Sequence, residues 1–518
     1  MIYLEEAKNG SLTCRKAGHY LHSKYNPEEE ADKFVRSLSP DFSPFCIIVA
    51  GPCLSYCFAP LRKRFPAIPI YAVQYETFFT KKTEQSAPLH SACAQSTAPA
   101  WDGVFCTEHK DALLLAEELF ERLGEQLIFG AFFTVWPPGE RLYTEQSRLF
   151  WKAVKLLLQK SRDVLATRAF FSRCWLKNSF RFFIRCAHIC GIEKGHKPIL
   201  VAASGPSLGA SIPYIKKYRK SFFLIGLSSA LQALIENGIY PDLCISTDGG
   251  FYAEAHLRIL EKLFAQGVPL PLAVSAESRV SSALLENLPI IPLRYGDGIE
   301  NRLFEHCRLP AVPALRNGSV SGTAASLALS LTSAAVYFCG LDLENGSGYR
   351  HAQPNMLEKN DALTDNRLRP LVTRLSVPEN GSLDIYRQWF SSRNEEFSKR
   401  TARVSAVPYK QKLGNIRDLP WDDIKENLRM YESLQMPRIY TITNGKTAEN
   451  KKNICDFLHA EKAAYEHKNE PERTVQWYEN CAPLAYLSSL KYPESEEFKA
   501  EAEKTVLHTF EELFKLCT

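Results

Sequence analysis

The chain has 518 residues, 45% of them hydrophobic and 23% charged, and a net charge of +5. That length exceeds one ordinary domain and predicts two or three. The composition is globular and excludes extensive disorder, and so small a charge does not by itself point to nucleic acid or to a membrane surface. The 15 cysteines form no framework: Cys53 with Cys57 and Cys186 with Cys190 lack a second pair at zinc-site spacing, which fits a reducing cytosol. No basic segment followed by an apolar core opens the chain, and no apolar run approaches the ~18 residues needed to span a bilayer. The expectation is a cytoplasmic protein with no nucleic-acid partner and no stable membrane insertion.

Residues 1–136 read as an N-terminal α/β domain. Cys46–Ala50 is a strand stopped by Gly51-Pro52; a short basic helix, Leu61–Phe65, leads to a second strand, Ile70–Val73. Thr80–Ala100 is polar and rich in Ser and Ala, so a surface loop is expected. Asp111–Leu123 is a helix, with Leu113, Leu114, Ala116, Leu119 and Leu123 on one side. Leu127–Val135 is an apolar run predicted as a strand. The order strand, Gly-Pro, basic helix, strand recurs at Ile199–Gly226. Either all half-units of this kind look alike, or the N-terminal domain is a degenerate copy of the central one. Pro137-Pro138-Gly139 is a break, and residues 137–194 read as a connector of two aromatic, basic helices.

Residues 195–415 alternate strand and helix. Strands fall near 199–203, 222–226, 243–247, 271–275, 289–293 and 335–339; helices fall near 212–219, 229–237, 252–265, 279–287 and 320–332. Strict alternation predicts an α/β, doubly wound, Rossmann-like sheet, mostly parallel, whose ligands bind outside the carboxyl ends of the strands. Residues 416–518 are helical in pattern, charged and free of strand signals, and read as a C-terminal helical domain for packing or partner binding.

The strand-end rule picks out five segments. Ser204-Gly205-Pro206-Ser207 follows a β-branched run and opens a helix, the setting of a phosphate-binding turn. Ser228-Ser229 closes the next strand, where hydroxyls can touch a base or ribose or cap a helix. Asp248, beside two glycines, can bind ribose hydroxyls, a metal or an acceptor, whereas Asp242 in the Pro-Asp turn is a turn residue. Asn317-Gly318-Ser319 opens an alanine-rich helix whose free N–H groups favour an anion. Asp342 ends the last strand, and a glycine-bearing loop, Gly346-Ser347-Gly348, carries His351, a general base that Asp342 would orient.

In order and spacing these motifs resemble the motility-associated factor glycosyltransferases, in the wider family that also holds 6-hydroxymethylpterin diphosphokinase-like proteins. The resemblance rests on Ala203–Leu208, Ser228–Leu231 with Leu234 and Gly238–Asp242, Asp248, Gly318-Ser319-Val320, and Gly340–Leu343 with His351. It covers roughly residues 195–360. The Gly-Pro-Ser-Leu turn is also similar to the nucleotide loop of bacterial CMP-sialic acid sialyltransferases, which implies a GT-A/sialyltransferase-like sheet. This chain has Ala203-Ser204-Gly205-Pro206 where those enzymes have a Gly-Asn-Gly-Pro type of sequence, so one contact falls to Ser204. Tyr349 and Tyr386 are the candidates for their phosphate-binding tyrosines.

The resemblance implies a glycosyltransferase that moves a nonulosonic acid, of pseudaminic or legionaminic type, from a CMP-activated donor to Ser/Thr of flagellin. It implies Ser204, Gly205, Pro206, Ser207, Ser228, Ser229, Asp248, Asn317, Gly318, Ser319 and Asp342 as donor-binding residues. His351 or Asp248 would deprotonate the acceptor. No metal cofactor is required for so good a leaving group. The alternative in the same family is pyrophosphoryl transfer from ATP to a pterin-like alcohol, which would make Asp242, Asp248 and Asp342 magnesium ligands. A non-catalytic flagellin-binding chaperone is a third reading.

Overall fold

A computed structural model describes residues 2–85, 101–344, 349–363, 365–368, 381–444, 447–468 and 470–517. The chain divides into two compact units, Met1–Phe170 with Ala482–Val506, and Phe171–Cys481 with Leu507–Thr518. The division at 170/171 falls inside one continuous helix of 42 residues, Thr144–Arg185, where the sequence predicted two.

In the first unit, strands β1 (Ile2–Glu6), β2 (Leu12–Lys16) and β3 (His19–Tyr20) form a small antiparallel sheet. Strands β4 (Cys46–Ala50), β5 (Ile70–Gln74), β6 (Gly103–Cys106) and β7 (Ala131–Val135) form a parallel sheet in the order β6-β5-β4-β7. Every residue of β4 and β5 is buried, which is why both read as unbroken apolar runs. The helix at Ala112 begins where expected, with Asp111 accepting from the Leu114 N–H at 2.8 Å. It runs on to Phe129, so residues 127–129 close a helix and the strand starts only at Ala131. The basic helix is Phe58–Arg64. A helix, Thr77–Gln85, stands where the predicted loop begins, and residues 86–100 of that loop lie outside the described residues.

In the second unit, eleven strands form one sheet. They are β8 (His188–Glu193), β9 (Ile199–Ala202), β10 (Phe223–Leu227), β11 (Leu243–Ser246), β12 (Leu272–Ser275), β13 (Ile290–Arg294), β14 (Val312–Pro313), β15 (Val336–Cys339), β16 (Thr401–Ser405), β17 (Arg417–Pro420) and β18 (Arg438–Asn444). The order is β17-β16-β15-β9-β10-β11-β12-β13-β8-β18, with β14 beside β13. All pairs are parallel except β18 on β8. Alternate residues feed two cores. Ile199, Val201, Ile225 and Phe338 pack with the helix Val320–Leu331 on one face. Leu200, Ala202, Leu224 and Tyr337 pack with the helices Ser207–Lys217 and Trp421–Met430 on the other. Covering both faces removes each Ile, Leu or Val from water, at about 1.5–3 kcal/mol apiece, and accounts for the continuous apolar strands.

The order reverses at β9, whose neighbours are β10 on one side and β15 on the other. That reversal is the point at which open α/β sheets bind ligands. Three strands overturn expectations. His188–Glu193 was predicted as the end of a helix but is a strand, held between β13 and β18. β17 and β18 come from the stretch predicted to be free of strands. Pairing along an existing sheet overrides local propensity in β8 and β17.

Candidate functional site

At the reversal the loops after β9 and β15 meet. The Ser207 N–H donates to Asp342 Oδ2 at 2.9 Å, and the Ser207 hydroxyl donates to Oδ1 of the same carboxylate. The Gly205 N–H donates to the Gly340 carbonyl at 2.8 Å. Asp342 is therefore an anion supplied by the chain itself, seated where the sequence placed a phosphate. Burial pushes its carboxyl above the ordinary range, against the pull of the Ser207 hydrogen bonds and Arg403. A Cβ at Gly205 would stand 2.6 Å from Asp342 Cγ and from the Gly340 oxygen, so glycine is needed for this approach. The expectation that Asp342 orients His351 is corrected by the same geometry: both its oxygens face Ser207.

The neighbouring strand end stays polar. Ser204 and Ser229 are half-buried, and the Ser229 hydroxyl donates to Ser204 Oγ at 2.8 Å; Ser228 is buried. Pro206 is exposed. The segment after residues 345–348, which lie outside the described residues, is fastened onto these serines. The Ala352 N–H donates to the Ser204 carbonyl at 2.7 Å, and Asn355 Nδ2 donates to the Ser229 carbonyl at 3.2 Å. His351 thus stands over the ends of β9 and β10.

Its partner is Glu358, a residue that the sequence reading missed. Glu358 Oε1 accepts from the His351 backbone N–H at 2.8 Å and lies 3.0 Å from His351 Nδ1. Glu358 Oε2 accepts from Gln353 Nε2 at 2.7 Å. Asn355 caps the helix Met356–Leu363 through the N–H groups of Leu357 and Glu358. An Asn followed three residues later by Glu is a helix-start signature, and it was the signal available for Glu358. Here the Glu turns back past the cap to the histidine. The ring of His256, in the helix Ala253–Ala265, meets the His351 ring edge to face at 6.2 Å. Burial, and then the neighbouring His351 ring, push His256 down to about 4.

A second group forms at the end of β11. Asp248 is exposed and accepts from the Gly250 N–H at 2.8 Å. Burial, and then Asp248, raise the Tyr386 phenol above its usual range. The same ring lies 3.5 Å from where a Gly318 Cβ would be, so Tyr386 neighbours both residues. Asn317 Oδ1 accepts from the Ser319 N–H at 3.0 Å, and Ser319 Oγ caps the helix Val320–Leu331 through the Gly322 N–H at 3.1 Å. Tyr349 is exposed.

The magnesium alternative asked for Asp242, Asp248 and Asp342 together. Asp242 accepts from the Leu224 N–H at 2.7 Å and pairs with Arg219 at 2.8 Å, which makes it a turn residue. Among the described residues no three His, Cys, Asp or Glu side chains gather closely enough to hold a metal ion.

A third group at the ends of β12 and β13 was not foreseen either. Arg316 joins Glu277 Oε1 at 3.0 Å and Asp297 at 2.9 Å and lies over the Tyr295 ring. Glu300 is buried beside them, and burial, then the charge of Glu277, push its carboxyl well above the usual carboxylate range. No motif spacing marks these residues; only the sheet brings them together.

Fold and site define an α/β protein whose polar side chains collect at the carboxyl ends of a doubly wound sheet. Residues 174–348 match the family described as 6-hydroxymethylpterin diphosphokinase MptE-like, and over that span the superfamily resemblance drawn from the motifs holds. A protein of Treponema pallidum described as uncharacterized is 29% identical over 318 residues, 60% of this chain and 67% of that one. A second from the same organism, described the same way, is 23% identical over 372 residues, 68% of this chain and 60% of its own length. The chain thus spans about two thirds of these relatives or less. A solved structure, the MAf glycosyltransferase from Magnetospirillum magneticum AMB-1, aligns with 100% of this chain and 91% of that one at 14% identity and a TM-score of 0.49, a likeness too weak to assign an activity. Among the described residues no helix is long and apolar enough to cross a membrane.

Proposed function

We propose that the chain is a glycosyltransferase that moves a nonulosonic acid from a CMP-activated donor to Ser/Thr of flagellin in the cytoplasm. The observation that carries this reading is His351: its Nδ1 faces a buried carboxylate and its segment is fastened over the serines that end β9 and β10. An ionised carboxylate only accepts, so Nδ1 bears the proton and Nε2 keeps a lone pair for an acceptor hydroxyl. The motif resemblance supplies the donor and acceptor classes. Because Asp342 fills the Gly205–Ser207 turn, the donor phosphate is assigned to the start of the helix Val320–Leu331, with Asn317, Gly318 and Ser319 around it and Tyr386 alongside. Free N–H groups of a helix start stabilise the charge that develops on departing CMP. Ser204 and Ser229 offer hydroxyls to the nucleoside, and Asp248 to the sugar.

The second reading, pyrophosphoryl transfer from ATP, is favoured by the description of the matching family. A thermal-shift panel with CMP, CDP, UDP, GDP and ATP, each with and without magnesium, separates the two, because a ligand bound only by the folded state raises its apparent stability. A metal-independent shift with CMP is the expected outcome. A magnesium-dependent shift with ATP alone overturns the transferase reading, and no shift with any nucleotide overturns both.

A further inference from the structure

His351 and Glu358 are seven residues apart on a loop and a helix start, an arrangement that helix capping alone does not require. In a capping box the Glu reaches back to the backbone N–H of the capping residue, which here would be Asn355. Glu358 instead places Oε1 within reach of two nitrogens of His351, the backbone N–H at 2.8 Å and the ring Nδ1 at 3.0 Å. Its other oxygen is held by Gln353 Nε2, whose amide also reaches the His351 carbonyl at 3.2 Å. Glu358 is 4% exposed, so water does not dilute the pairing. His351 is held at one end by this carboxylate, while the ring of His256 lies against it. His256, kept neutral by burial, leaves His351 to act alone.

We propose that Glu358 is the positioning residue of the transfer reaction: it fixes His351 in the tautomer with the proton on Nδ1 and stabilises the imidazolium formed when Nε2 takes the acceptor proton. The proposal rests on the reading of His351 as the base. In that step the acceptor O–H bond breaks and its proton goes to Nε2. The oxygen pair forms the bond to the anomeric carbon. The bond from that carbon to the phosphate oxygen of the donor breaks, and its electrons leave with CMP. Glu358 keeps its charge and touches no reacting atom.

The test has two arms. In long-range proton–nitrogen spectra of the full chain labelled at histidine, with His351 assigned by the signal missing from His351→Gln, the wild type gives a single Nδ1-protonated tautomer. Glu358→Gln gives a mixture. A wild-type His351 protonated on Nε2 overturns the proposal, and this arm requires neither activity nor a variant of Glu358 that folds. In the second arm, transfer from a CMP-activated nonulosonic acid to flagellin is followed. Glu358→Gln lowers kcat by roughly a hundredfold or more with KM little changed, and adds no loss when His351 is already Gln. An equal loss in both backgrounds overturns the proposal, because Glu358 then acts only as a brace for the helix start. The expected tautomer with no transfer from any CMP donor sinks the transferase reading and leaves the pairing of Glu358 with His351 intact.

Discussion

A single carboxylate changes what the most conspicuous turn of this chain can do. Asp342 satisfies the Ser207 N–H and hydroxyl inside a protein core, where an unpaired donor costs about 1–3 kcal/mol. Asp342→Ala should therefore destabilise the fold by about that amount, read as a lower urea midpoint with an unchanged denaturant slope. Unaltered stability would mean that the carboxylate does not hold the turn. The same carboxylate explains a limit of sequence reading. Apolar strand, glycine, proline and serine were visible at 199–207, but the group that completes them lies 135 residues away, and local pattern carries no such distance. His351 was read from the sequence; Asn355 and Glu358 were not, although their capping signature is local. The grouping of Glu277, Glu300 and Arg316 was not, because each stands after a different strand.

At the scale of elements, the helix Val320–Leu331 depends on its start. Ser319 caps it through the Gly322 N–H, and Asn317 in turn holds the Ser319 N–H. Ser319→Ala should cost about 1 kcal/mol, within roughly 0.5–2, measured by chemical denaturation; a neutral result would remove Ser319 as the cap. Which elements could be foreseen follows from what they bury. Strands β9 to β13 and β15 present β-branched, apolar runs, and the sequence located all six within a residue or so at each end. Strand β16 reads Thr-Ala-Arg-Val-Ser and looks like surface, yet all five residues are buried. Arg403 is tolerated there because Asp418 grips it at 2.7 and 2.9 Å and the carbonyls of Leu341 and Gln411 take its other donors. Buried charge matched by a distant partner cannot be told from exposed charge by pattern. Strand β18, Arg-Ile-Tyr-Thr-Ile-Thr-Asn, does alternate; it was overlooked because helical stretches surround it.

At the scale of the whole molecule, buried ionisable groups set opposing responses to pH. Burial pushes His22 from 6.5 to about 3, so between those values the unfolded chain binds a proton that the folded chain refuses. Its stabilising effect is complete above about 6.5 and is lost as the pH falls, at about 1.4 kcal/mol per unit. Glu300 runs the other way. Its folded-state pKa lies well above 4.5, so the unfolded chain releases a proton first and stability falls as the pH rises past that value. Denaturation across pH should show a shallower acid-side slope for His22→Asn. Glu300→Gln should gain on the wild type with rising pH and converge with it in acid. Parallel curves for either variant would contradict the assignment.

The Gly-Pro turns at 51–52 and 205–206 share one further trait. In each, donors at the turn are engaged by the chain: Gln74 and His22 take the N–H groups of Cys53 and Leu54, as Asp342 takes Ser207. These acceptors are tethered competitors. A dissolved anion must displace a group that folding delivers at high effective concentration, so occupancy of such a turn depends on the leash as much as on the socket. Removing the carboxylate at position 342 would turn a filled socket into a vacant one without touching a residue of the turn itself.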